Sequence, residues 1–144
     1  MYATHSDTLV LLHVVWATKR RARLLPASLD RRLRHFIIDA LAPRDAALRA
    51  FGAAEDHVHV IVQIEATERL CDVVKSMKGC SSHRWNESPP DGAASLYWQD
   101  GYWARSVDAH DVSALQSYIL AQRTHHADVQ PPEPWERALL RAGK

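Results

Sequence analysis

The stretch His57-Val58-His59-Val60-Ile61-Val62-Gln63-Ile64 decides the fold. Every residue in it other than His and Gln is β-branched and aliphatic, and nothing in its spacing has the 3.6-residue period of a helix. Alternate residues of a strand share a face. One face therefore carries His57, His59, Ile61 and Gln63, and the other carries Val58, Val60, Val62 and Ile64. The all-aliphatic face has to be the core side, which leaves the His face to another layer. Two imidazoles with one small residue between them form a chelating pair for a divalent cation. An H-x-H by itself is more often a half-buried polar residue beside a strand end.

Outward from this strand, residues 8–18 read as a first strand and residues 28–41 as a helix. That helix has Leu29, Leu33, Phe36, Ile37, Ala40 and Leu41 on one side and Pro43 just past its end. Ala46–Ala53 is an alanine-rich second strand. Residues 68–85 form a helix with Leu70, Val73, Val74, Met77 and Trp85 toward the core, while Lys75, Lys78 and Ser82 share a separate face open to phosphate. Residues 86–95 are a loop by composition, and the aromatic segment 96–107 reads as strand, with a hairpin turn at Asp100-Gly101.

Residues 111–126 then read as one helix with Asp111 as N-cap and Val112, Leu115 and Ile119 as its apolar stripe. Tyr118, Gln122 and His125 follow i, i+4, i+7 spacing on a second face, which should flank the core rather than fill it. A Pro-rich segment at 130–134 ends regular structure, with a last helical turn at 135–140. The order β-α-β-β-α-β-α predicts an α+β fold, a ferredoxin-like sandwich. Its antiparallel sheet has helices packed on one face and the H-x-H on a central strand. A C-terminal helix carrying the tyrosine adds to it.

The 144 residues suit a single domain with enough chain to bury a core, and 47% hydrophobic with 24% charged residues is ordinary for a globular protein. The longest apolar stretch, residues 9–16, is interrupted by His13 and too short for a bilayer. The N-terminus has no cationic-then-apolar leader pattern, so a cytoplasmic location is expected. Cys71 and Cys80 match no zinc spacing and read as free thiols of a reducing compartment. A net charge of +1 argues against indiscriminate coating of nucleic acid. The basic residues are clustered instead: Lys19, Arg20, Arg21 and Arg23, then Arg31, Arg32 and Arg34, with Lys75 and Lys78 later, enough to engage a few phosphates. Trp98, Tyr102 and Trp103 are candidates for stacking on unpaired bases, although Trp in so small a chain is more often core.

The motifs taken together resemble a known family. An H-x-H strand (His57, His59) followed by Tyr-Ile-x-x-Gln with a trailing His-His (Tyr118, Ile119, Gln122, His125, His126) looks like the single-tyrosine HUH transposases. These are small insertion-sequence transposases and their relatives associated with repetitive extragenic palindromes. His13-Val14-Val15-Trp16-Ala17-Thr18-Lys19-Arg20-Arg21 resembles the family's first strand and basic turn, and Val74-Lys75-Ser76-Met77-Lys78-Gly79 its middle helix. The segment 96–107 resembles the approach to the tyrosine helix.

The resemblance implies a DNA transposase that recognises hairpin or palindromic ends of single-stranded DNA. Tyr118 would be the nucleophile, leaving a 5′-phosphotyrosine link and a free 3′-OH. His57, His59 and Gln122 would hold Mg²⁺ or Mn²⁺, with Asp56 and His125 as candidate supports for the ligands. It also implies a homodimer with paired active sites, often completed by the partner's tyrosine helix, that is nucleoid-associated when acting on DNA. Two other readings stay open: a catalytically idle hairpin-binding protein of the same fold, and a metal-dependent hydrolase using His57, His59 and His125 with water as nucleophile.

Overall fold

The computed structural model of the chain describes residues 6–125. Its elements run β1 (Val10–Ala17), α1 (Asp30–Leu41), β2 (Ala46–Ala53), β3 (His57–Ile64), α2 (Leu70–Glu87), β4 (Trp103–Ser106), α3 (Val112–Leu120) and α4 (Gln122–His125). The strands form one sheet in the order β2-β3-β1-β4, and every pairing is antiparallel. This is the ferredoxin-like order that the element sequence predicts, with the His strand in the interior of the sheet. The Pro-rich segment, the turn at 135–140 and His126 lie outside the described residues.

The aliphatic face of β3 faces the core as its alternation requires. Val58, Val60, Val62 and Ile64 pack with Val14 and Trp16 of β1 against Leu33, Phe36, Ile37 and Leu41 of α1 and Val73, Val74, Met77 and Trp85 of α2. Burial of side chains of this size stabilises by about 1.5–3 kcal/mol each, so this face dominates the energetics of the fold. Trp16 and Trp85 are core, whereas Trp98 and Trp103 are half-buried. No helix among the described residues is long and apolar enough to cross a membrane.

Two segments depart from their expected form. Only Trp103–Ser106 of the aromatic stretch pairs as a strand, Trp98 makes a single bridge to Thr18, and no hairpin forms at Asp100-Gly101. The loop wraps a cation instead: Lys78 Nζ donates to the carbonyls of Gln99 and Gly101 at 2.8 and 2.9 Å. Burial lowers the pKa of this ammonium, with Asp100 acting in the opposite sense. Lys78, a phosphate contact by its spacing, thus spends two donors on main-chain oxygens, while Lys75 is exposed.

The helix expected over 111–126 is also broken. Ala121 leaves the helical region (φ −92°, ψ 13°), so Gln122 opens a separate short turn. Asp111 makes no side-chain cap. The capping carboxylate is Asp108, which accepts from the His110 amide at 2.9 Å and starts the 3₁₀ turn leading into α3.

α3 covers the opposite face of the sheet from α1 and α2. Ile119 is buried against Leu11 and Ile61. The contact is unusually close at Gly52, where a Cβ would lie 1.9 Å from the Ile119 carbonyl oxygen. A bulge between Leu48 and Ala50 sets this up. Strict alternation would pair Phe51 with His59. The extra residue pairs Gly52 with His59 and turns Phe51 into the core opposite Val60.

A methyl group at position 52 would meet a backbone oxygen that has no rotamer to retreat to. Gly52→Ala should therefore lift α3 at a cost of about 1–3 kcal/mol. Amide hydrogen exchange should quicken across Val112–Leu120 while β1 and β3 stay protected. Unchanged exchange in α3 would show that the helix is not seated through this contact.

Candidate active site between the histidine strand and the tyrosine helix

β3 delivers His57 and His59 to the face beneath α3, where they are 1% and 0% exposed. Their ring centroids lie 5.1 Å apart. Their cross-strand neighbours are small: Ala17 pairs with His57, and Val15 and Gly52 flank His59. That spacing leaves room for two imidazoles on a face otherwise closed by a helix. Tyr118 comes down edge-on to His59 within the same chain, with ring centroids 5.6 Å apart and an interplanar angle of 82°. Gln122, whose spacing suggests a flanking position, is instead buried at 1% exposure, because the break at Ala121 turns it inward.

The hydrogen bonds behind these side chains fix their donor and acceptor atoms. Asp56 Oδ1 lies 2.7 Å from His57 Nδ1, and Arg21 donates to Asp56 Oδ2 through Nε and Nη2, both at 2.9 Å. Burial alone would raise the Asp56 pKa, but the bonds from His57 and Arg21 outweigh it and hold the carboxyl at about 2. An ionised carboxylate only accepts, so His57 Nδ1 is the donor of this bond. Gln122 Nε2 donates to the Tyr118 carbonyl at 3.2 Å, so its Oε1 turns toward His57 Nε2, 3.3 Å away.

A proton on Nε2 makes this approach a hydrogen bond, and a cation between the two atoms would be bound by both. Imidazole nitrogen with amide oxygen is a donor set for a divalent transition ion or Mg²⁺. Among the described residues, no group of three or more His, Cys, Asp or Glu side chains could hold a metal ion. The amide oxygen of Gln122 lies beside the two imidazoles as a further oxygen donor. His125 closes α4, and its side chain lies outside what the structure describes.

Three residues that the sequence reading passed over support this arrangement. His13 is buried, and its Nε2 lies 2.9 Å from His59 Nδ1, with the Trp103 ring edge-on at 5.1 Å. Gly52 seats α3. Arg123 bolts α4 to the start of α1, with Nη1 donating to the Leu25 carbonyl at 2.7 Å and Nη2 and Nε reaching the two oxygens of Asp30 at 2.5 and 3.3 Å. The alternation of residues 10–17 carries a signal for His13, since it lies on the face opposite Val14 and Trp16.

The basic turn after β1 is only partly available to a ligand. Arg21 is committed to Asp56, and Arg23 pairs with Glu55 at 3.3 Å while both stay exposed. Lys19 and Arg20 are exposed. Arg20 and Arg21 both adopt left-handed backbone, φ 59° and 55°, at a cost of order 1–3 kcal/mol each. Thr18 holds this conformation: its amide donates to the Asp56 carbonyl at 2.8 Å, and its hydroxyl lies 2.6 Å from the Ala22 carbonyl. A cleft of about 580 Å³ lined by Arg21, Arg23, Asp56 and Arg123 opens beside the turn. A second, of about 400 Å³, lies on the other side between His13, Arg105, Asp108 and Tyr118.

Burial lowers the His13 pKa from its ordinary 6.5 to about 4. An unfolded chain takes up a proton near pH 6.5 that the folded chain refuses until about pH 4. The stability linked to His13 is thus fully present above 6.5 and is lost as pH falls through that window, by ~3 kcal/mol in all. Denaturant titrations across the window should show this slope in the wild type and a shallower one in His13→Phe. Equal slopes would show that the folded protein protonates His13 as readily as the unfolded one.

Comparison with known proteins bears on the fold and the family. ISDra2 transposase TnpA of Deinococcus radiodurans is 25% identical over 114 residues, which is 76% of this chain and 81% of the relative. A crystal structure described as a transposase from Deinococcus radiodurans R1 superposes with a TM-score of 0.65 at 24% identity, covering 85% of this chain and 98% of the other. A REP-associated tyrosine transposase bound to a REP hairpin gives a TM-score of 0.64 at 18% identity, covering 100% and 87%. These two structures share the fold. The family described as "Transposase IS200 like" matches residues 6–122, most of the chain, and this protein belongs to that family of transposases.

Proposed function

We propose that the protein cuts and rejoins single-stranded DNA beside hairpin ends, using Tyr118 as nucleophile and a divalent cation, Mg²⁺ or Mn²⁺, held by His57, His59 and Gln122. The observation that carries this reading is the approach of His57 Nε2 to Gln122 Oε1, 3.3 Å apart, beside a His59 that meets the Tyr118 ring edge-on. A bound cation would supply Lewis acidity to the scissile phosphate.

The chain's own residues account for the rest. Tyr118 Oη attacks phosphorus, a P–O bond to tyrosine forms, and the bond to the 3′ oxygen breaks. The phenolic proton ends on that oxygen as a 3′-OH, so atoms balance and the 5′-phosphotyrosine keeps the bond energy. Attack by another 3′-OH reverses the step without ATP. Asp56 and Arg21 hold His57 through its Nδ1 and so direct Nε2 toward Gln122, and the Arg123–Asp30 clamp holds the turn that bears Gln122.

Lys19, Arg20, Arg23 and Lys75 are the cations proposed to take phosphates, since an exposed pair such as Arg23–Glu55 is worth little and yields readily to a phosphate. The hairpin-bound neighbour supports a folded single strand as substrate. Transfer of two ends needs two nucleophiles, which supports a homodimer. Because Tyr118 lies against its own chain's His59, that dimer would bring two ends together rather than complete each site.

Tyr118→Phe removes one oxygen and should leave hairpin binding and melting temperature near wild type. It should also abolish the covalent adduct seen on incubation with labelled single-stranded hairpin DNA and Mn²⁺. An adduct persisting in this variant would overturn the assignment, and a wild type that binds hairpins without forming any adduct would be the idle binder. Lys19→Glu with Arg20→Glu should weaken binding to all sequences alike and lower the slope of log K against log salt by about one unit per lost contact. A slope equal to wild type would mean that these side chains are merely solvated.

A further inference from the structure

We propose that His13 is a positioning residue that sets the tautomer of His59, accepting a hydrogen bond at its Nε2 and so leaving His59 Nε2 as the metal-ligating atom. The proposal rests on the reading that His59 is a cation ligand, and it deepens that reading by giving the second imidazole a support from β1.

The geometry is specific. His13 is on β1 opposite Ile61, so it lies diagonally across from His59, which pairs with Val15. Diagonal neighbours on one face are about 7–8 Å apart at the backbone, within reach of two long rings but not of short side chains. The rings lie 25° from coplanar, with centroids 5.2 Å apart and the two nitrogens 2.9 Å apart, an in-plane approach fit for a hydrogen bond. One nitrogen of that pair must donate. If His13 Nε2 donates, His59 is forced into the Nε2–H tautomer and its Nδ1 lone pair is occupied, so neither nitrogen can bind a cation. If His59 Nδ1 donates, Nε2 keeps its lone pair. Only the second direction is compatible with the site.

Stability does not explain an imidazole here. A net hydrogen bond contributes less than burying an aliphatic side chain among Val15, Leu11 and Trp103 would. The two ligands are thus supported differently: His57 by a carboxylate held by Arg21, and His59 by a neutral ring.

The test uses the whole protein and two readouts besides activity. Nitrogen-15 spectra of histidine-labelled, metal-free wild type should show His59 as the Nδ1–H tautomer. Titration with Mn²⁺ alone, followed by calorimetry, should give an affinity that falls about 10–100-fold in His13→Phe, which keeps a planar ring but no acceptor. His13→Gln, which can return an acceptor oxygen to the same place, should recover most of that loss and restore the tautomer. His59 found as Nε2–H in the metal-free wild type overturns the proposal without any variant, so it stays testable even if His13→Phe fails to fold. Equal Mn²⁺ affinity in wild type and His13→Phe also overturns it. A wild type that binds no Mn²⁺ overturns instead the metal reading of His57, His59 and Gln122, while its spectrum still reports the direction of the His13–His59 bond.

Discussion

A backbone carbonyl of α3 occupies the space where the side chain of residue 52 would stand, and both helix-borne site residues reach the histidine strand through that contact. Tyr118 precedes Ile119, the residue whose oxygen rests on Gly52, so its ring falls beside His59, the cross-strand partner of Gly52. Gln122 lies three residues beyond Ile119, and the break at Ala121 turns it under the helix toward His57. A wider seat would separate the phenol from the imidazole and withdraw the amide from Nε2. The bulge at Leu48/Ala50 is the backbone device behind the seat, because it exchanges the bulk of Phe51 for the absence of a side chain at exactly one register position of the sheet.

Burying three imidazoles under a helix is expensive unless each polar atom is matched. The sheet matches one nitrogen of each ring of the His57–His59 pair by chemistry along its face. His57 is served by its own chain neighbour Asp56, whose charge is shared with Arg21 from the turn after β1, and His59 is served by His13 from β1 itself. The left-handed Arg20-Arg21 turn belongs to the same network. It is the conformation that brings the Arg21 guanidinium round to Asp56, and Thr18 holds it there.

The fold was legible wherever one face of an element had to be buried. The split of β3 into an aliphatic and a polar face, the apolar stripes of α1 and α2, and the order of elements together specify the ferredoxin-like sheet and set the His pair beneath another layer. What stayed hidden depends on register or on single bonds between distant segments. The hairpin expected at Asp100-Gly101 gives way to carbonyls gathered round Lys78, a competition that no local pattern encodes. The bulge in β2 breaks the two-residue period without Gly or Pro at Arg49 to announce it, so Gly52 has no evident partner in the sequence. His13 was visible as the polar residue in an apolar strand, but its reach to His59 requires the diagonal register of β1 on β3.

The end of the tyrosine helix shows how one sequence spacing can mislead locally and still locate the site. Positions i and i+4 of a continuous helix would set Tyr118 and Gln122 side by side on a half-wet face. In the broken helix they are still joined, now by the hydrogen bond from the Gln122 amide to the Tyr118 carbonyl, and that bond turns the amide oxygen toward the strand. The guanidinium of Arg123 supplies the restraint that helix continuity would have given, by tying the residue after Gln122 to Asp30 and the Leu25 carbonyl at the opposite edge of the site. The amide is therefore held from two sides, by the helix that bears the tyrosine and by the start of α1. Its geometry depends on packing between elements far apart in the chain, which explains why the residue could be picked out from the sequence and its burial could not.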